Sequence, residues 1–372
     1  MRRWAAALLS VLLLSGCRDE RIIEKIGFIR TIAYDTTKDE GENSESGNLR
    51  VTVSIPKTNQ KDTIQYSTVA KTGKQARLIF DRQNDRRLVS GQLRQVLFTT
   101  DIARRGVWSE VNSLLRDPGV GMRIHLLIVE SDPERLLAAK FTQDNTAGDY
   151  IDHLVRTETR TTDIPDTNMH IFARDYYDDG IEPVMSILQQ TPNSIRVGGI
   201  GLFRGDRYVG KIEAADKVYF GVLRGKVQTG EVFIDFPDDG YSSQYASLHY
   251  FTSRRKIRIE RAGPMEDGQG LRVRIQIKLR GSLLEYRGGL QLEHPKEQKK
   301  LEGEIAGYFR QKCEETIRRM QELHSDAIGI GQRVRDTMSY RDWRNLDWDE
   351  AFSKARIEVQ VNADIRSYGS IQ

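Results

Sequence analysis

The feature that most restricts this chain is its hydropathy profile, with one apolar run at the start and no later stretch that could cross a bilayer. Arg2 and Arg3 precede Trp4 to Leu14, which has the length of an export signal but falls short of the ~20 residues that a spanning helix needs. The remainder is therefore expected to fold as a water-soluble body. Any signal that crosses a membrane would have to use a partner.

The run ends in Leu14-Ser15-Gly16-Cys17, where small residues let a lipoprotein signal peptidase reach the backbone and the thiol carries a diacylglyceryl group. This resembles the bacterial lipobox, and it implies a signal peptide over 1–16 and a lipidated Cys17. Two acyl chains, each methylene contributing ~0.8 kcal/mol of transfer free energy, would hold the body on a membrane constitutively. The other cysteine, Cys313, then has no disulfide partner and is expected to be buried and inert.

At 372 residues the chain has room for two or three domains. Charged residues at 30% and hydrophobic ones at 38% match a soluble globular protein. The formal charge of +4 includes Arg2 and Arg3, so the mature chain carries about +2, spread along its length, and no nucleic-acid partner is expected.

The body reads as α+β, with mixed sheets and packed helices in three domains, 17–190, 191–240 and 241–372. In the first, Leu49 to Ile55 alternates as a half-buried strand, with Val51, Val53 and Ile55 on one face and Thr52 and Ser54 on the other. Thr72 to Asp81 and Ile102 to Asp117 have helical spacing. Leu126 to Val129 suits a strand covered on both faces, and Ser131-Asp132-Pro133-Glu134 starts a helix. After Thr191-Pro192-Asn193, strands Ile195 to Phe203 and Arg207 to Ile212 are joined through Gly205-Asp206 as a hairpin that opens a small middle domain.

The turn cluster at 237–240 closes that domain. Beyond it, Ser247 to Arg261 and Leu271 to Tyr286 are long alternating strands expected to pair antiparallel. Apolar residues from Leu301 to Ala327 recur at helical spacing, which makes one long amphipathic helix over a largely antiparallel sheet. Arg356 to Ile365 is the closing strand.

Catalytic patterns are missing from the sequence. The glycines at 198, 199 and 201 lack dinucleotide spacing, and no phosphate loop or nucleophile elbow occurs. Asp175 to Gly180 looks like the start of a calcium loop, but Tyr177 takes a ligand position and Ser186 stands where the bidentate glutamate belongs, which leaves an ordinary acidic loop. No two of the six histidines have the i, i+4 spacing of metal ligands on a helix. The chain is read as a non-enzyme with no metal and no cofactor beyond the lipid on Cys17. Two segments are candidates for partner binding: Trp343, Arg344 and Trp348, because aromatics and arginine are enriched at hot spots, and the basic stretch Arg254, Arg255 and Lys256. Both also have plainer readings, as tryptophans closing a core and as a solvated strand end.

Four segments taken together resemble the Ger(x)C lipoprotein family, the C subunits of nutrient germinant receptors in spore-forming bacteria. They are Cys17-Arg18-Asp19 with the run Arg21 to Phe28; Gly91 to Phe98 followed by Ile102-Ala103, Gly106-Val107 and Arg116-Asp117-Pro118; Gly201-Leu202-Phe203 with Asp206 to Lys211; and Asp326 to Gly331 followed by Trp343, Trp348, Phe352 and the last strand. Arg18 departs from the tryptophan of many relatives. The resemblance implies a position on the outer surface of the spore inner membrane, beside integral-membrane A-type and B-type receptor subunits. A solute-binding lipoprotein of a transporter is the alternative, and an envelope hydrolase a third reading. The first would need two similar lobes and the second a cleft with paired carboxylates or a metal.

Overall fold

The structure is a computed structural model that describes residues 26–37, 48–57, 62–141, 146–161, 164–225, 227–236, 244–261 and 270–368. The signal peptide, Cys17 and the turn cluster at 237–240 lie outside these residues.

The first half runs β1 (Ile26–Phe28), β2 (Thr31–Thr36), β3 (Leu49–Pro56), β4 (Thr63–Ala70), α1 (Gly73–Gln83), β5 (Arg87–Val89), β6 (Gln95–Thr99), α2 (Thr100–Arg105) and α3 (Trp108–Leu115). It continues through β7 (His125–Val129), α4 (Pro133–Ala138), α5 (Ala147–Arg160), α6 (Met169–Tyr177), β8 (Val184–Gln190), β9 (Ile195–Arg204) and β10 (Arg207–Glu213). Eight of these strands form one sheet in the order β10-β9-β8-β7-β6-β2-β3-β4, and β1 pairs with β5 beside it. The central strands β2, β6, β7 and β8 are parallel, and an antiparallel hairpin extends each side.

Helices cover both faces of this sheet, which explains its continuous apolar strands. Val96, Phe98, Leu126 and Ile128 pack with Phe80, Val111 and Phe172 of α1, α3 and α6. Their neighbours Leu97, Leu127 and Val129 point the other way, onto Leu136, Leu137 and Ile151 of α4 and α5. The same double cover corrects the half-buried reading of β3, whose Thr52 and Ser54 are both buried, with Thr52 Oγ1 3.1 Å from Ser67 Oγ of β4.

The helix expected over Ile102 to Asp117 is two helices. The chain breaks at Gly106, whose φ of 121° is a left-handed value that suits glycine. The reason is tertiary: Asp206 accepts the Val107 N–H on its carbonyl at 3.0 Å and the Trp108 N–H on its carboxylate at 3.1 Å, capping α3 from the β9–β10 turn. That hairpin also corrects the middle domain. Instead of opening a sheet of its own at 191, β9 pairs antiparallel with β8, because its nearly unbroken buried run needs cover on both faces.

The second half comprises α7 (Lys217–Arg224), β11 (Gly230–Asp235), β12 (Tyr245–Arg261), β13 (Leu271–Arg287), α8 (Pro295–Glu322), α9 (Ile330–Arg335), α10 (Tyr340–Asn345), α11 (Trp348–Lys354) and β14 (Arg356–Ser367). The second sheet has the order β11-β12-β13-β14. Its first two pairings are antiparallel, whereas β14 runs parallel to β13 because the long crossover through α8 returns the chain to its starting end. One face of the sheet is covered by α7 and by the stripe Leu301, Ile305, Phe309, Cys313, Ile317 and Met320 of α8. Val184, Ile200 and Leu202 of the first sheet share this core, so the two halves are packed together.

Cys313 is fully buried within that stripe, and burial pushes its thiol well above the ordinary range. A thiol reagent should label it only at the rate of unfolding. Cys313→Ser, which buries a hydroxyl in an apolar site, should cost about 1–3 kcal/mol in urea unfolding. Fast labelling of the folded protein would contradict this packing.

Candidate functional site: a buried polar joint

The end of α6 and the loop after it, Asp175 to Glu182, meet the segment after α8 that runs through α9, Ser325 to Arg335, where the two sheets share their core. Asp326 is 1% exposed and organises the contact. Its carboxylate accepts the N–H groups of Ile330 at 3.1 Å and Gly331 at 2.7 Å, and Trp348 Nε1–H at 3.2 Å. Its carbonyl accepts the Glu182 N–H at 3.0 Å, while Gly180 accepts the Gln332 N–H at 3.0 Å. The backbones lie so close that a Cβ on Gly180 would stand 2.6 Å from the Gln332 nitrogen.

Around this centre the three aspartates of the first segment take donors from the second half. Asp178 accepts Gln332 Nε2 at 2.8 Å and Arg335 NH1 at 2.9 Å, and Asp179 accepts Trp343 Nε1 at 2.8 Å and also pairs with Arg335. Buried Asp175 accepts Arg224 NH2 at 2.6 Å, and Arg224 NH1 continues to the Ala327 carbonyl at 2.7 Å. Arg255 donates to the carbonyls of Ile328, at 2.9 Å, and Leu223. Ser325 Oγ donates to the Phe203 carbonyl at 2.6 Å.

Burial dominates the electrostatics. It pushes the Asp326 carboxyl up to about 6, against the hydrogen bonds from Gly331, Ile330 and Trp348 and the nearby Arg255. It pulls the Arg255 guanidinium down to about 10 against the attraction of Asp326. At Asp178 burial again opposes ionisation, but the hydrogen bonds from Gln332, Arg335 and Gly180 together hold it below the ordinary carboxylate range. These carboxylates are satisfied by the protein's own donors, so the arrangement fastens two bodies and presents no free acid–base pair. Among the described residues, no group of three or more His, Cys, Asp or Glu side chains is placed to hold a metal ion.

The residues singled out in the sequence are divided by the fold. Trp343 and Trp348 are buried, 4% and 8% exposed, with ring centroids 5.7 Å apart, and their indole N–H groups are used inside the joint. Their part is internal, as anchors, so they are not available as surface contacts for a partner. Arg255 turns inward as well, because alternate residues of β12 face the core, while Arg254 and Lys256 stand exposed on the other side. Arg344 is exposed on α10. The acidic loop at 175–180, read as ordinary, is half of the joint. Its signal was the density of aspartates next to a glycine, matched by Asp326 in the glycine-rich segment ending at Gly331.

Two family models match consecutive parts of the chain, the spore germination protein N-terminal domain over residues 19–190 and the spore germination B3/GerAC-like C-terminal domain over 198–369. The chain belongs to the GerAC-like family of spore germination proteins. The spore germination protein GerQC of Bacillus cereus is 25% identical over 369 residues, 99% of each chain. A putative spore germination protein of Bacillus subtilis (strain 168), YfkR, is 20% identical, covering 95% of this chain and 92% of its own. The crystal structure of the GerBC protein shares the fold, with a TM-score of 0.59 and 14% identity over 90% of this chain and 96% of that one.

In this GerAC-like chain the two matched regions part between β8 and β9, inside the continuous first sheet. The polar joint is therefore a bond between the family's two domains, with Asp175 to Glu182 from the first and Arg224, Arg255 and the 325–348 residues from the second. Glu182 gives the joint a pH dependence. Burial pushes its carboxyl up to about 8, although it accepts the Gly205 N–H at 2.7 Å. The folded state thus keeps a proton that the unfolded chain releases near the ordinary glutamate value, so this contribution to stability is full at low pH and is lost as pH rises towards 8. Glu182→Gln keeps the acceptor without the charge. It should melt like the parent near pH ~5 and be more stable by about 1–2 kcal/mol near pH ~9. Equal melting temperatures at both pH values would refute the buried-acid assignment.

Proposed function

We propose that this protein is a lipid-anchored subunit of a spore nutrient germinant receptor. The observation that carries the reading is the placement of Cys17, at the end of its export signal, two residues before a spore germination domain match that begins at residue 19. Lipid on Cys17 concentrates the folded body at the outer surface of the spore inner membrane, where it docks on A-type and B-type integral-membrane subunits and helps convert nutrient binding into commitment to germinate. Tethering raises the effective concentration, so individual contacts can be weak. The subunit acts by binding and not by catalysis, in keeping with a joint whose carboxylates are occupied. Among the described residues no helix is long and apolar enough to cross a membrane, so attachment falls to the lipid and the partners. The transporter alternative finds no support in two sheets of different size and topology, which do not make a pair of like lobes.

The test is Cys17→Ala, or gene deletion, in the spore-forming host, with dipicolinic acid release followed after adding candidate nutrients. Selective loss of response to one nutrient class, with nutrient-independent triggering intact, supports the receptor role. Absence of the protein from purified spores would refute it.

A further inference from the structure

The second sheet has one covered face and one open face, and the open face is strongly basic. Beyond the register shifts of β12, even-numbered residues of β12, β13 and β14 point outward in register, away from the α8 stripe. Over Arg254 to Glu260, Arg272 to Arg280 and Arg356 to Asp364 there are fourteen such positions, of which eight are Arg or Lys and three are acidic. That excess of five positive charges exceeds the +4 of the whole chain, so the remainder is slightly acidic. The three carboxylates are taken by Arg274, at 2.8 Å from Glu260, Arg280, at 3.2 Å from Asp364, and Arg356, at 3.4 Å from Glu358. Arg254, Lys256, Arg258, Arg272 and Lys278 have no ion-pair partner among the described residues.

The pairing sets like charges against one another at three places. Arg254 stands directly opposite Lys278, Arg258 opposite Arg274, and Arg272 opposite Arg356. Like charges in directly opposed cross-strand positions destabilise a sheet. The same register sets Arg272 opposite Glu260, Arg274 opposite Glu358 and Arg280 opposite Asp364, so the pair left without a facing carboxylate is Arg254 with Lys278, which a counter-charged partner would relieve.

We propose that this face docks on the anionic headgroups of a phospholipid bilayer. The cations lie on a sheet surface, one strand spacing of ~4.8 Å apart across it and two residues, ~7 Å, apart along it, which suits a plane of phosphates. None of the fourteen positions is aromatic, so the face lacks the stacking platforms that single-stranded nucleic acid requires. Basic residues held at an anionic membrane surface add to its affinity one by one and act within about a Debye length. The inference rests on the receptor reading only in its choice of occupant, since a body tethered by Cys17 meets a bilayer first. It would orient the body, laying the second sheet on the membrane and turning α8 and the joint away from it.

The test uses the chain without residues 1–17, which keeps every described element and carries no lipid. Flotation is measured with vesicles of phosphatidylcholine alone and of phosphatidylcholine with an equal part of phosphatidylglycerol. The body should float with the anionic vesicles at low salt, be released by raised salt, and ignore the neutral ones. Lys256→Glu combined with Lys278→Glu should weaken binding at least tenfold. It should do so without loss of thermal stability, because the second change sets a carboxylate opposite Arg254. Arg341→Glu with Arg344→Glu, on exposed α10, should bind like the parent. Failure to float with anionic vesicles, or unchanged binding by the first double variant, would overturn the proposal. So would tighter binding of a DNA duplex than of the vesicles. Because the body tested has no Cys17, a failure of the anchoring reading would show in the spore experiment and leave this one unaffected.

Discussion

Asp326→Ala should lower the stability of the body by about 3–5 kcal/mol, read as a fall of about 1 M in the midpoint of urea unfolding. Three buried donors, the N–H groups of Ile330 and Gly331 and the indole N–H of Trp348, lose their acceptor in one step. Arg255 and Arg224, both pulled down by burial, lose a nearby opposite charge at the same time. Truncation leaves these groups desolvated without compensation, which costs far more than the net value of a surface ion pair. Asp326→Asn keeps one acceptor oxygen but turns an NH₂ towards N–H donors, so it should fall between parent and alanine variant. Trp348 reports the change directly, and its fluorescence should shift to the red in the alanine variant even before denaturant is added. An unchanged midpoint would mean that water replaces the carboxylate and that the joint does not hold the two domains together.

Much of the fold was legible because its signals are local. Period-two alternation in β12, β13 and β14 and the helical stripe of α8 follow from which face each element buries, and Asp132-Pro133 marked the start of α4 in a way that needs no distant partner. What escaped was decided across the chain. The helix break at Gly106 depends on Asp206, a hundred residues away, and helical spacing on both sides of the glycine concealed it. Thr52 and Ser54 looked like a solvated face because their polar character indicated water, whereas α4 covers them and Ser67 meets the threonine. The middle domain was inferred from a change of pattern at Thr191-Pro192-Asn193, which is a turn between paired strands.

The candidate sites show the same limit. Trp343, Trp348 and Arg255 were noticed for residue type, and type does not tell inside from outside. The weak overall charge suggested cations spread along the chain, yet strand register gathers eight of them on one face. Each segment by itself shows only alternating Arg or Lys with Ile, Leu or Val, the ordinary pattern of a strand with one wet side. The joint was equally hidden, because its halves lie about 150 residues apart in sequence, as in the Asp178–Arg335 pair.

Close approach at the joint gives the other large effect, and a second glycine gives the control. A Cβ on Gly180 would stand 2.6 Å from the nitrogen of Gln332 and 2.8 Å from the carbonyl carbon of Gly331, both backbone atoms that cannot rotate away. Gly180→Ala must push the two loops apart, stretching the Gln332 N–H to Gly180 carbonyl bond and drawing Asp178 off Gln332 and Arg335. A cost of about 3 kcal/mol is expected, at the upper end for an overpacked site. Gly307→Ala makes the same chemical change within α8, where a Cβ meets nothing within 4 Å, and should stabilise by about 0.5–1 kcal/mol because alanine is the better helix former. The opposite signs separate close packing from any general sensitivity to a methyl group. Combining Gly180→Ala with Asp326→Ala then asks whether the joint behaves as a unit. Once Asp326 no longer holds the 326–331 loop in place, the added methyl group has less to displace, so the double variant should lose less stability than the two single losses together. The shortfall should be roughly 1–2 kcal/mol, the coupling of residues in one network. Simple additivity in urea unfolding would show that the backbone contact and the buried carboxylate hold the two domains independently.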